Sequence, residues 1–133
     1  MLNPQAAAKR KYDLEERLIQ FTVRIMALIE GLPATRVGNH IAGQLVRSGT
    51  SPVANYSEAE SAESRDDFVH KLKIALKELR ETRVWLTLIQ RKALGKSVTA
   101  TEPLLRECNE LISILVASVR TARRNQARPG AES

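Results

Sequence analysis

Cysteine, histidine and aromatic side chains are scarce in this chain, and each scarcity narrows what it can do. A single cysteine, Cys108, allows no internal disulfide framework and fits a reducing cytoplasm. The only histidines, His40 and His70, leave little from which to build a metal centre. One Trp, two Tyr and two Phe are too few for the stacking platforms that read single-stranded RNA base by base. No run of eighteen apolar residues is present, so no membrane span is expected. The first residues, MLNPQAAAKRKYDLEE, place their basic cluster after the small residues, the reverse of a secretory signal. No glycine-rich phosphate loop occurs. What remains is rich in Leu, Ile, Val and Ala over 133 residues, the palette of one helical domain spanning 1–133.

The periodicity predicts four helices, over about 12–30, 36–62, 64–94 and 101–124, with residues 1–11 and 125–133 as flexible tails. Asp13 stands near the start of the first, and Gly31-Leu32-Pro33 ends it. Pro52 lies inside the second and predicts a kink; the competing reading is two helices with a turn near Ser48–Ser51. Ser64 followed by Asp66 and Asp67 opens the third, and Gly95 is its stop. Thr101 can cap the fourth, with Glu102 and Pro103 in its first turn. Short connections between long helices imply an all-α, antiparallel up-down four-helix bundle with a long kinked second helix. The apolar faces of the first and fourth helices are wider than one core requires, so a homo-oligomer is expected.

One face of the second helix is polar in an unusual way. Gln44, Arg47, Ser48, Ser51, Asn55 and Glu58 recur at helical spacing, and most are short hydrogen-bonding groups. Such groups suit a seam between helices better than a solvated face. If the chain turns back near Ser64, Arg47 meets Glu78 and Glu81, and Glu58 meets His70 and Lys71. The functional reading of Arg47 is an anion or RNA site; the structural one is an internal polar network of the six stripe residues with Lys71, Glu78 and Glu81. The nearby acids favour the network, with Arg47 buried and its loss costing on the order of 3–5 kcal/mol.

The segment QLVRSGTSPVANYSEAESAESRDDFVHKLKIALKELRETRVWL resembles the four-helix bundle proteins encoded by intervening sequences within bacterial 23S ribosomal RNA genes. Gln44, Arg47-Ser48, Ser51, Asn55, Glu58, Phe68, Lys71, Ala75, Glu78, Glu81 and Trp85 carry the likeness. The resemblance implies a four-helix bundle in a barrel-like pentamer. It also implies similarity to the accessory variability proteins of diversity-generating retroelements, which bind nucleic acid and a reverse transcriptase. Pro52 departs from the pattern, which has an aliphatic residue there.

Charge points the same way. Net charge is +6, and residues 64–96 hold nine basic side chains against four acidic ones. A basic balance favours anionic partners; its bland meaning is solubility. His70, Lys73, Lys77, Arg80 and Arg91 share a face of the third helix, and Arg120, Arg123 and Arg124 follow near the end of the fourth. The basic side chains among these are the expected phosphate contacts, reading backbone charge rather than bases. The competing reading is a solvated face with ordinary pairs Asp67–Lys71 and Lys77–Glu81.

Other chemistry is weakly signalled. Asp67-x-x-His70 has the carboxylate–histidine spacing of di-iron bundles but lacks a second copy, so neither metal nor cofactor is expected. Cys108 lies on an apolar stripe, Ser48 and Ser51 have no adjacent histidine, and Asn55-Tyr56-Ser57 sits inside a helix, where a glycosylation acceptor does not belong. The expected function is a non-catalytic, basic, oligomeric protein that binds RNA or DNA. The alternative is an adaptor ring that recruits another protein without nucleic acid.

Overall fold

The computed structural model describes residues 4–127. It holds four α-helices: α1 (Pro4–Glu30), α2 (Arg36–Glu60), α3 (Arg65–Lys92) and α4 (Val98–Ala127), with a 3₁₀ turn, Gly95–Ser97, leading into α4. No strand occurs among the described residues. Residues 1–3 and 128–133, the outer parts of the two expected tails, lie outside the described residues.

Local chemistry explains where the helices begin and end. α1 starts at Pro4, inside the stretch read as a tail. Proline suits a first helical position and the alanines after it are the best helix formers. Asp13 is therefore well inside α1. Thr35 caps α2, its Oγ1 accepting from the Gly38 amide at 3.0 Å, and Ser64 caps α3 by accepting from the Asp67 amide at 3.0 Å. Asp66 and Asp67 in the first turn of α3 and Arg91 and Lys92 in its last complement the helix dipole. The stop of α3 is Ala93 in the left-handed region at φ 55°, ahead of the expected Gly95. α4 begins three residues before Thr101, which is fully buried and donates to the Val98 carbonyl instead of capping. α2 runs through Ser48–Ser51 and Pro52 without dividing. Pro52 removes one backbone bond, but Leu45, Tyr56 and Ala59 bury the same face on both sides of it.

The core draws on all four helices: Leu18, Phe21 and Ile25 from α1, Leu45 from α2, Leu72, Leu79, Leu86 and Ile89 from α3, and Leu104, Leu111 and Leu115 from α4. α3 packs extensively against both α2 and α4, whereas α1 meets α4 only lightly. Contacts pair by reflection about the turns. Ser48 meets Thr82, Glu58 meets Lys71 and His40 meets Trp85 between α2 and α3; Arg83 meets Asn109 and Gln90 meets Glu102 between α3 and α4. Two glycines permit close approaches. A methyl on Gly49 would lie 2.6 Å from Ile25 Cγ2, and one on Gly38 would run into the Pro33 carbonyl. Gly95, at φ +58°, grips the other side of Pro33.

The second apolar stripe of α4 is consumed within the chain: Ile112 and Val119 are core residues, and Leu105 and Val116 pack against them. The exposed large apolar residues lie elsewhere. Ile19, Val23 and Met26 run along α1, with Val46 on the flank of α2 that bears Gly49; Val37 stands one turn before His40 on α2, and Val84 and Leu88 stand next to Trp85 and one turn after it on α3. The surplus face expected on α4 is thus absent among the described residues, while that on α1 is present.

Candidate nucleic-acid interface

α3 sorts its charges by direction. Glu78 and Glu81 point sideways, toward α2. Arg47 of α2 donates to Glu78 Oε2 at 3.0 Å and also to Glu81, while Gln44 Oε1 accepts from the same guanidinium at 3.4 Å. Lys71 Nζ donates to Glu58 at 3.0 Å. The intrahelical pairs Asp67–Lys71 and Lys77–Glu81 do not form, because Lys71 and Glu81 are taken by α2. The outer face of α3 keeps His70, Lys73, Lys77 and Arg80, all exposed and without an ion pair among the described residues. These four, with Ile74 and Leu76, line a shallow groove.

The other expected contacts are dispersed. Arg91 is exposed on α3, eleven residues or about 16 Å beyond Arg80, with Val84 and Leu88 between. Arg120, Arg123 and Arg124 are exposed on α4, where the reflected register sets Arg120 at the level of His70.

The polar stripe of α2 divides by depth. Ser48 is fully buried and its Oγ lies at hydrogen-bond distance, 3.0 Å, from Thr82 Oγ1, whose single proton serves either this contact or the Glu78 carbonyl at 2.9 Å. Asn55 turns back on its own helix and donates to Ser51 Oγ and the Ser51 carbonyl. Arg47 is 51% exposed rather than buried. Its clamp therefore acts in high effective dielectric, and the 3–5 kcal/mol expected for a buried charge does not apply. Arg47→Ala should cost about 1 kcal/mol, read from chemical denaturation of mutant and wild type. A loss above about 3 kcal/mol would restore the buried-charge account.

Two features had no clear sequence signal. Thr82 is a lone threonine on an apolar stripe, and only the position of Ser48 explains it. Arg17 of α1 donates from Nη2 to Glu107 Oε1 at 2.6 Å and to Glu110 Oε2 at 2.7 Å. Hydrogen bonding to Glu107 raises the Arg17 pKa further. Nothing in the local pattern of α1 marks Arg17 as the residue that closes the seam with α4.

Cys108 is not placed for reactivity. It is fully buried, its Sγ donating to the Leu79 carbonyl at 3.3 Å, and burial pushes the thiol up to about 12. Its thiolate, the nucleophilic form, is suppressed at neutral pH. Among the described residues no group of three His, Cys, Asp or Glu side chains could hold a metal ion, and no helix is long and apolar enough to cross a membrane.

A family model described as 23S rRNA-intervening sequence protein matches residues 10–117. Among solved structures, the chain is similar to a protein with unknown function from the S23 ribosomal protein family of Bacteroides thetaiotaomicron VPI-5482, solved at 1.70 Å resolution. The two are 36% identical, the match covers 80% of this chain and 97% of that one, and the TM-score is 0.71. No curated protein matches.

Proposed function

This chain belongs to the 23S rRNA-intervening sequence protein family, and from that premise we propose that it is a non-catalytic, oligomeric four-helix bundle protein that binds RNA or DNA by backbone charge. The carrying observation is the outer face of α3, where Lys73, Lys77 and Arg80 stand unpaired while Glu78 and Glu81 are drawn aside. Arg91, Arg120, Arg123 and Arg124, exposed but dispersed, are further candidate phosphate contacts. The reflected contacts support an antiparallel up-down course, and Pro52 supports a bend in α2. A single free cysteine suits a cytoplasmic setting.

Three phosphate contacts per chain imply a log–log salt slope of about −2 to −2.7. Raising salt from about 50 to 200 mM should then weaken binding roughly 15- to 40-fold, measured by fluorescence anisotropy with labelled RNAs of unrelated sequence. Equal binding at both salt concentrations, or strong preference for one sequence, would count against this reading.

Oligomerisation would multiply weak contacts. It is supported by the exposed apolar residues on either flank of α2, since two different patches on one subunit are what a closed ring requires. Light scattering on a sizing column should give several times the 14.8 kDa chain mass, five times if the resemblance to pentamers extends this far. A monomer at micromolar concentration would defeat it. The second reading is an adaptor ring. It draws on the patch around Trp85, where His40 stacks edge-on at 6.1 Å beside exposed Val84 and Leu88. Tryptophan flanked by apolar side chains is typical of protein contacts.

A further inference from the structure

The light contact between α1 and α4 leaves a cleft of about 690 Å³ where the two helices approach the α2–α3 turn. That size lies within the range of small-molecule sites. Most of its exposed surface is apolar, from Leu14, Phe68, Ile114, Ala117, Ala122 and the ring of Tyr56, and Asp13, Thr121 and Asn125 add polar groups to the lining. An inner hollow shares Leu14, Tyr56, Phe68 and Ser118 with it.

Tyr56 is the unusual element. It is 7% exposed, yet its hydroxyl makes no hydrogen bond among the described residues. The hydroxyl oxygen is not among the buried polar atoms that lack a partner, so it reaches the cleft as an accessible donor. Both the cleft and the hollow are lined by Tyr56, so a molecule in the cleft can supply what the protein does not.

The surrounding charges select the kind of molecule. Burial and the nearby Glu15 raise the Tyr56 pKa, so the phenol stays protonated and offers a donor. Glu15, together with Glu60 in the lining of the hollow, disfavours an anion beside that donor. The arginines of the cleft do not reverse this. Arg17 is held by Glu107 and Glu110, and Arg65 is partnered as well. Ser118 donates to the Ile114 carbonyl and adds no free donor.

We propose that this cleft binds a small, uncharged, largely apolar molecule that presents an acceptor oxygen to the Tyr56 hydroxyl. The site is independent of the basic face of α3 and goes beyond the nucleic-acid reading.

Nile red, a neutral planar dye with a carbonyl oxygen, is a suitable probe. Titrated into the full chain, it should bind saturably, one dye per chain, with emission shifted to shorter wavelength. Tyr56→Phe keeps the ring and removes the donor, and should weaken binding about fivefold. Ala117→Phe, at an exposed lining position, should fill the cleft and abolish binding. Val84→Ser with Leu88→Ser should leave the affinity unchanged, since those residues lie on another face. Absence of saturable binding, unchanged affinity in Ala117→Phe or in a folded Tyr56→Phe, or loss of binding in the Val84/Leu88 variant would each overturn the proposal. Should Tyr56→Phe fail to fold, Ala117→Phe decides alone. An anionic naphthalene sulfonate bound as tightly as Nile red would overturn the preference for an uncharged ligand.

Discussion

Lys73→Glu combined with Lys77→Glu and Arg80→Glu is expected to abolish nucleic-acid binding while leaving the helical circular dichroism and melting temperature close to wild type. All three side chains are exposed on one face of α3, and none has an ion pair among the described residues. Their replacement therefore breaks no ion pair within the fold. Three favourable phosphate contacts become three repulsive ones, a loss of about two orders of magnitude or more. The measurement is anisotropy at low salt, beside a melting curve for each protein. If the triple variant binds RNA as wild type does, the face on α3 is not the interface, and the arginines near the end of α4 become the next candidates. If wild type itself binds nothing at about 50 mM salt, the patch around Trp85 and the adaptor reading take precedence.

Gly38→Ala should be among the most damaging single substitutions outside the core. A β-carbon at this position would lie 3.0 Å from the Pro33 carbonyl carbon and overlap its oxygen. Backbone cannot rotate away as a side chain can. Relief requires moving the first turn of α2 or the loop at 31–35. Either movement strains the Thr35 cap and the seat of Pro33 against Gly95. The better helix propensity of alanine, worth roughly 1 kcal/mol, offsets only part of this. The net loss should be about 2–4 kcal/mol, a drop near 10 °C in melting temperature. Gly43→Ala is the matched control, because its β-carbon would meet nothing within 4 Å. That variant should match or exceed wild-type stability. Similar melting temperatures for the two variants would show that the Pro33 contact is not rigid.

The helices were legible in the sequence because their signals are local and redundant. The Ser64 cap, the Asp66–Asp67 pair and the stripe from Phe68 to Ile89 all describe one helix. The ends were legible only where a single residue type decides. Ala93 takes the left-handed position two residues before Gly95, and Thr101 lies behind a 3₁₀ turn that nothing in its neighbourhood announces. Reflection across the turn at Ser64 brings Arg47 to Glu78 and Glu81, but reflection does not report depth. Whether a side chain at a seam is covered depends on how far apart the helices lie, and no spacing along one helix encodes that. The same limit hid Arg17, whose partners stand some ninety residues away on α4, and the unpartnered hydroxyl of Tyr56.

The arrangement around Arg47 has an effect at a place it does not touch. Glu81 lies one helical turn from Lys77, the spacing at which the two would neutralise each other. Held by Arg47, Glu81 is turned away and the ridge of α3 keeps its full positive potential. Arg47 thus behaves as an electrostatic shield: a cation on one helix protects the cations of the next from their own neighbours. In Arg47→Ala, Glu81 regains Lys77 as a partner, so the modest loss of stability should be accompanied by a shallower salt dependence of RNA binding. The charge on the outer face of α3 is then a property of the folded bundle, and an isolated α3 peptide with every lysine and arginine in place would not reproduce it.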